Sequence, residues 1–190
     1  GRNIFIYPPP PPPPTPKPEK PVPSPPPPPI TLVGLDPGTV EARTADFTLT
    51  IAGAKIPPDA RAYLNGREFQ PVSVSDSQLR ISVPAAMKAA PGALRVEVRS
   101  ASNSQLYSNA LSINIINPPT PAYRYLGLIV KNGVATAILK PDTDEDVINV
   151  QKGQKLGNNW LIVNITPQEI EILDTRNQVK HRLPFTNEHG

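Results

Sequence analysis

The chain has 190 residues, 28 of them proline, no cysteine and a formal net charge of +3. Without cysteine there are no thiolate zinc sites, iron–sulfur clusters or disulfide staples, a usage that fits either the cytoplasm or a bacterial envelope compartment. Residues 30–117 carry eight Lys/Arg against seven Asp/Glu and residues 123–190 carry eight against eight, so neither half has the basic excess that phosphate backbones require and nucleic acid is not an expected partner.

Gly1–Tyr7 (GRNIFIY) is a short apolar patch that reads either as a frayed end or as a short docking strand. Two proline blocks follow, Pro8–Pro14 and Pro25–Pro29, separated by a short charged insert around Lys17-Pro18-Glu19-Lys20. Proline fixes φ and lacks a backbone donor, so residues 1–29 are expected to be a disordered, extended linker rather than part of a core. At about 3.1 Å per residue the stretch 8–29 would span roughly 70 Å if fully extended. A spacer implies an anchor, and no stretch reaches the roughly 20 apolar residues that cross a bilayer. Because the sequence opens on Gly1, a membrane anchor or signal is expected upstream of it.

Residues 30–116 read as all-β. Ile30–Leu35 is a β-branched run closed by Asp36-Pro37-Gly38, a turn signal. Phe47, Leu49 and Ile51 alternate with Thr48, Thr50 and Ala52. Arg61–Leu64 meets Asn65-Gly66, a pair suited to a tight hairpin. Val72–Ser75, Leu79–Val83, Leu94–Arg99 and Leu111–Ile115 supply further strands, with one helical turn expected at Ala85–Ala90. Short strands at regular spacing, with turn signals between them, predict a β-sandwich. Asn117–Pro121 (NPPTP) then marks a short linker over 117–122 that should separate two domains while keeping them close.

Residues 123–185 are again β-rich. Tyr125–Lys131, Asn132-Gly133 and Val134–Leu139 predict a hairpin. Closing it at Lys131/Val134 sets Leu126, Leu128 and Val130 opposite Leu139, Ala137 and Ala135 as one buried face. Val147–Val150, Trp160–Ile165, Ile170–Leu173 and Val179–Leu183 bring the total to six strands, best satisfied by a small curled sheet or partly open barrel. Trp160, at the start of its strand, is expected to pack in the core. Residues 186–190 are expected to be a disordered tail.

Two resemblances rest on these segments. The opening ITLVGLDPGTV, the FTLTIAG strand, the AYLNGREF hairpin, SDSQLRISVP and PGALRVEVRS make residues 30–116 resemble the IPT/TIG family of immunoglobulin-like domains. YRYLGLIVKNGVATAIL followed by VINVQKGQKLGNNWLIVNITPQEIEIL makes residues 123–185 resemble the periplasmic homology region of the type II secretion C component and its counterpart in the type IV pilus P protein. GRNIFIY also resembles the stretch that often precedes a Pro-rich linker in those proteins. Together these imply an all-β chain, an immunoglobulin-like sandwich followed by a small six-stranded barrel-like domain.

Residues that could carry chemistry are few. Asp142, Asp144 and Asp146 have the first three spacings of a calcium loop, but Val147 stands where its glycine belongs and Gly153 where its bidentate glutamate belongs. His181 and His189 are the two histidines, and no nucleophile elbow, phosphate-cradling loop or HExxH motif accompanies them. No catalytic residue, cofactor or metal is expected. Small open barrels expose strand edges to which a partner can add a strand, and the resemblance places such docking on the first hairpin, at Leu128, Val130, Lys131, Asn132 and Val134.

The expected function is therefore a non-catalytic periplasmic scaffold of a bacterial type II secretion or type IV pilus system. It would be anchored in the inner membrane before Gly1 and would reach a secretin's periplasmic domain and inner-membrane components. The alternative is a surface adhesive or carbohydrate-binding module built on the sandwich, whose aromatic residues are Phe47, Tyr63, Phe69 and Tyr107. Of these Phe47 alternates with core positions and is expected to be buried. A third reading makes the proline tract a ligand for a polyproline-recognising domain.

Overall fold

The computed structural model describes residues 9–13 and 23–187. The docking-strand reading of Gly1–Tyr7, the insert around Lys17–Lys20 and His189 lie outside them. Pro9–Pro13 and Pro23–Pro27 are exposed and belong to no helix or strand.

Nine strands build the first unit: β1 (Thr31–Asp36), β2 (Thr39–Glu41), β3 (Phe47–Ala54), β4 (Ala60–Leu64), β5 (Arg67–Phe69), β6 (Pro71–Val74), β7 (Gln78–Val83), β8 (Gly92–Ser100) and β9 (Leu111–Ile116). They form one sheet in the order β1-β3-β7-β6 and a second in the order β2-β9-β8-β4-β5. Lettered A, A′, B, C, C′, D, E, F and G along the chain, the sheets read A-B-E-D and A′-G-F-C-C′. That is the strand order of an immunoglobulin-type sandwich. The short β2 pairs in parallel with β9, so the chain changes sheet at Asp36-Pro37-Gly38, where the sequence signals a turn.

The alternation read from the sequence is what fills the core. Leu49 and Ile51 on β3 and Leu79, Ile81 and Val83 on β7 face Ala62 and Leu64 on β4 and Leu94, Val96 and Val98 on β8, all essentially solvent-free. The Asn65-Gly66 turn has positive φ at both residues, 48° and 83°, as a two-residue hairpin with right-handed strand twist requires. Asn65 adds a second lock, because its side-chain oxygen accepts from the Arg95 N–H at 2.8 Å on the neighbouring strand. The expected helical turn is a single 3-10 turn, Ala85–Lys88. One core expectation needs correction. Phe47 is only half-buried, and Lys88 is fully buried, its ammonium 5.6 Å from the Phe47 ring centroid and donating to Thr44 Oγ1. Burial pushes the Lys88 pKa down, against the opposing pull of Asp46 and Glu41.

The second unit contains β10 (Tyr123–Lys131), β11 (Val134–Pro141), β12 (Ile148–Gln151), β13 (Lys155–Leu156), β14 (Trp160–Ile165), β15 (Glu169–Asp174) and β16 (Lys180–Pro184). All six expected strands are present, with β13 added. They divide into a three-stranded sheet, β10-β11-β12, and a four-stranded sheet, β13-β14-β15-β16. Among the described residues the backbone pairing that joins them is at one corner, a bridge between Tyr125 and Phe185 and a bond from the Thr186 N–H to the Tyr125 carbonyl at 2.8 Å. Tyr125, Ala137, Leu139 and Val150 from one sheet pack on Leu156, Ile162, Ile170 and Ile172 from the other, with Trp160 half-buried beside them. Tyr125 is fully buried; its hydroxyl donates to the Thr166 carbonyl at 2.7 Å and its ring meets Phe185 edge-on.

The two units touch. Pro118 and Pro121 of the linker are buried. Glu41, at the end of β2, accepts from Asn177 Nδ2 at 2.7 Å and pairs with Arg176 Nη2 at 3.4 Å, both on the β15–β16 turn.

Candidate binding surfaces

The hairpin singled out by sequence is formed, and its Asn132-Gly133 turn repeats the geometry of the first hairpin, with φ of 53° and 78°. Its register departs from expectation at the base. Leu126 sits in a β-bulge, and Tyr125 rather than Leu126 stands opposite Leu139. A bulge inserts one residue and shifts the facing of everything before it, so Tyr125 takes the core position. Nor is the inner face buried along its whole length. The β11–β12 ladder begins at Thr136, so the hairpin runs past its supporting strand. Ala137 and Leu139 are solvent-free and Leu128 is half-buried, but Val130 is 61% exposed. Ile129, Lys131, Asn132 and Val134 are exposed too. The five predicted site residues thus lie on one projecting hairpin, with Ile129 as an apolar neighbour that the sequence reading did not include.

A second surface lies on the outer face of the five-stranded sheet. There Tyr63 on β4 and Glu97 and Arg99 on β8 alternate with core residues and point outward. The β8–β9 loop folds back so that Tyr107 forms a bridge with Arg99. Tyr63, Glu97, Arg99, Ser104 and Tyr107 line an open recess of about 430 Å³. The guanidinium of Arg99 lies 4.8 Å from the Tyr63 ring centroid, a cation–π contact, and its Nη2 donates to Glu97 at 2.9 Å. Arg95 Nε donates to the same carboxylate at 2.9 Å. Hydrogen bonds from Arg95 and Arg99 hold the Glu97 pKa down, against a smaller opposing effect of burial, so the carboxylate stays ionised and the clamp stays shut.

The loop carrying Ser104 and Tyr107 is tied down from elsewhere. Asp59, just before β4, accepts from Ser102 Oγ at 2.5 Å, from the Ser102 N–H at 2.9 Å and from Ser100 Oγ at 2.7 Å. Hydrogen bonds from Ser102 and then Ser100 hold its pKa at about 2. Tyr107 is anchored in turn, its carbonyl accepting from the Ile30 N–H at 3.0 Å. In the sequence Tyr63 and Tyr107 stand out only as aromatics of the sandwich. The alternation Arg95, Glu97, Arg99 was the available signal for an outward polar ladder, but Tyr107 is brought beside it by a fold-back that pairs with β8. There the Ser100 N–H donates to the Leu106 carbonyl at 3.0 Å and the Ser108 N–H to the Val98 carbonyl at 2.9 Å, with Asp59 bracing its start from more than forty residues away.

His181 occupies the junction between the units. It is 7% exposed, its Nε2 is the one buried side-chain polar atom without a hydrogen-bond partner among the described residues, and the Trp160 ring meets it edge-on at 5.5 Å. Burial lowers its pKa, Arg43 lowers it further, and Asp174 opposes both. Asp142, Asp144 and Asp146 form an ordinary turn after β11, in which the Asp146 N–H donates to the Asp144 carboxylate and Arg124 faces Asp142 at 3.8 Å.

No protein-family model matches this chain, and no curated protein matches it. Solved structures show distant likeness. An auxiliary nutrient binding protein from Bacteroides thetaiotaomicron VPI-5482 shares 10% identity at a TM-score of 0.36, covering 84% of this chain and 50% of that one. The full extracellular region of plexin A4 shares 12% at 0.39, covering 83% and 18%. An auxiliary nutrient binding protein from Bacteroides ovatus ATCC 8483 shares 13% at 0.34, covering 84% and 38%. The chain therefore spans half or less of each of these proteins.

Proposed function

We propose that this chain is a non-catalytic recognition module, held away from its attachment point by the proline tract, and that it binds saccharide through the immunoglobulin-type sandwich, which we assign to the IPT/TIG family on the segments quoted above. The observation that carries the reading is the recess beside Tyr107. Sugar rings present apolar C–H faces and paired hydroxyls, and a site for them combines an accessible aromatic ring with a few fixed donors and acceptors. Tyr107 is 43% exposed and stands next to a rigid guanidinium–carboxylate pair and the Ser104 hydroxyl. Titration of the full chain against a saccharide panel tests this. Binding that disappears in Tyr107→Ala is the expected result, and no binding of any saccharide at millimolar concentration would overturn it.

A second reading is favoured by the projecting hairpin, whose tip exposes Ile129, Val130 and Val134 together. In it the chain is a periplasmic scaffold of a type II secretion or type IV pilus system, anchored to the inner membrane upstream of Gly1, and the second unit is the homology-region-like domain, a curled pair of sheets approaching an open barrel. The hairpin edge between Leu128 and Lys131 would then receive a strand from a secretin's periplasmic domain. Titration of the full chain with such domains, with and without Val130→Lys, separates the readings. Absence of binding at high micromolar concentration removes the second.

A further inference from the structure

We infer that the Tyr63–Tyr107 recess is selective for acidic saccharides, with Arg99 as the residue that meets the ligand's carboxylate. The inference rests on the saccharide reading above and adds the ligand's charge and the group that recognises it.

The charge arrangement around the recess carries the argument. On the outer face of the sheet, Arg61, Arg95 and Arg99 stand beside two carboxylates, Glu68 and Glu97. Both carboxylates are already engaged. Glu68 faces Arg61 at 3.7 Å and accepts from the Tyr63 hydroxyl at 3.1 Å, while Glu97 is held by Arg95 and Arg99 at 2.9 Å each. These strands carry three guanidiniums to two carboxylates, and the ionised Asp59 at the rim, hydrogen-bonded to Ser100 and Ser102, balances the third. With both face carboxylates engaged, what remains for a ligand is the uncommitted N–H groups of Arg99, which a uronate carboxylate matches in pairs and a neutral hydroxyl only singly.

Arg99 is built for the role. It commits Nη2 to Glu97, and its remaining N–H groups have no protein acceptor among the described residues. Guanidinium donors lie in a fixed plane that matches a carboxylate bidentately. Both anchors of Arg99, the Tyr63 ring and the Glu97 carboxylate, lie on regular strands, so little side-chain freedom is left to lose on binding.

Isothermal titration of the full chain with a short oligogalacturonide and with its methyl ester compares one sugar framework with and without charge. The acid is expected to bind at least about tenfold more tightly than the ester at low salt, with the gap shrinking as salt is added. Arg99→Gln should weaken the acid far more than the ester and so close the gap between them, and Tyr107→Ala should weaken both. Amide spectra outside the recess report whether Arg99→Gln stays folded. If it does not, Arg99→Lys serves, with an expected intermediate affinity for the acid. Equal affinity for acid and ester overturns the selectivity and leaves the saccharide reading standing. Binding of neither overturns both. Acid binding that survives Arg99→Gln or Arg99→Lys together with Tyr107→Ala overturns this location, and an oligoglutamate peptide that binds as tightly as the oligogalacturonide overturns the saccharide assignment.

Discussion

At the level of single residues, the side chain that organises the recess is one that never enters it. Asp59 takes three hydrogen bonds from Ser100 and Ser102 and so braces the start of the β8–β9 loop, whose return pairs with β8. Its folded pKa, about 2, lies below the ordinary value of 3.8. As pH falls, the unfolded chain therefore binds this proton first. The contribution of Asp59 to stability is complete above roughly pH 4 and is lost as pH falls through the folded value. Asp59→Asn replaces an ionised acceptor by a weaker one and turns one acceptor atom into a donor. Hydrogen exchange should then quicken at Ser102 and Leu106, with the second unit unchanged; equal protection in both proteins would show that the loop holds its own shape. Gly53 is a different kind of constraint. A Cβ there would stand 2.5 Å from the Thr31 carbonyl oxygen and 3.2 Å from Leu32. Both belong to β1; the Leu32 contact is a side-chain tip that can yield, whereas the Thr31 oxygen is backbone and cannot move without shifting the strand. Gly53→Ala should cost about 1–3 kcal/mol, read as a lower denaturant midpoint at unchanged slope, whereas Gly34→Ala, with nothing within 4 Å, should stay within about 0.5 kcal/mol.

At the level of elements, legibility followed locality. Both Asn-Gly turns were readable because a two-residue turn with positive φ is decided by the two residues in it. The period-2 alternation of β7 and β8 was readable for the same reason. The bulges were not. Val33 on β1, Val72 on β6, Leu126 on β10 and Val163 on β14 are each an extra residue opposite a regular partner strand. In sequence an extra residue looks like one more member of an apolar run, and only the partner strand reveals it. Three of the four bulged strands, β1, β6 and β10, are sheet edges, where a bulge turns the edge away from foreign strands. At β10 the Phe185–Thr186 segment covers the edge beside Tyr125 as well. A strand added to the hairpin would thereby be confined to its outer half, where Ile129, Val130 and Val134 serve no core. Val130→Thr should accordingly leave thermal stability within about 0.5 kcal/mol. Ala137→Val, at a solvent-free position between the sheets, should lower it by about 1–3 kcal/mol. Similar melting shifts for the two would mean that the hairpin tip is packed.

At the level of the whole molecule, the proline-rich linker marked a boundary in the sequence but gave no sign of what crosses it. The contacts across the junction are charged and polar groups on turns, Glu41 with Arg176 and Asn177, and Arg43 near His181, and such groups carry no periodic signal. His181 makes this junction sensitive to acid. Its pKa is lowered by burial and by Arg43, with Asp174 opposing. The other charged neighbours of its strand are Lys180 and Arg182, the latter facing Glu169 and Glu171 at 3.7 and 3.6 Å. Below about pH 6.5 the unfolded chain takes up the imidazole proton before the folded one does. Stability is therefore complete above that pH and falls as pH drops toward the lower folded value. Protonation would also place a second positive charge beside Arg43, so the loss should include separation of the two units as well as weakening of the second. Calorimetry between pH 8 and pH 5 should show the melting temperature of the wild-type chain falling, with a much flatter profile for His181→Phe. Glu41→Ala removes the polar clamp without touching the imidazole. Its profile should keep the acid slope, while scattering at neutral pH should show a broader range of distances between the units. A His181→Phe chain that loses stability on acidification as steeply as the wild type would place the acid sensitivity elsewhere. If scattering from Glu41→Ala matched the wild type, the junction would be held by the buried linker prolines, Pro118 and Pro121, and the packing around His181 rather than by its ion pair.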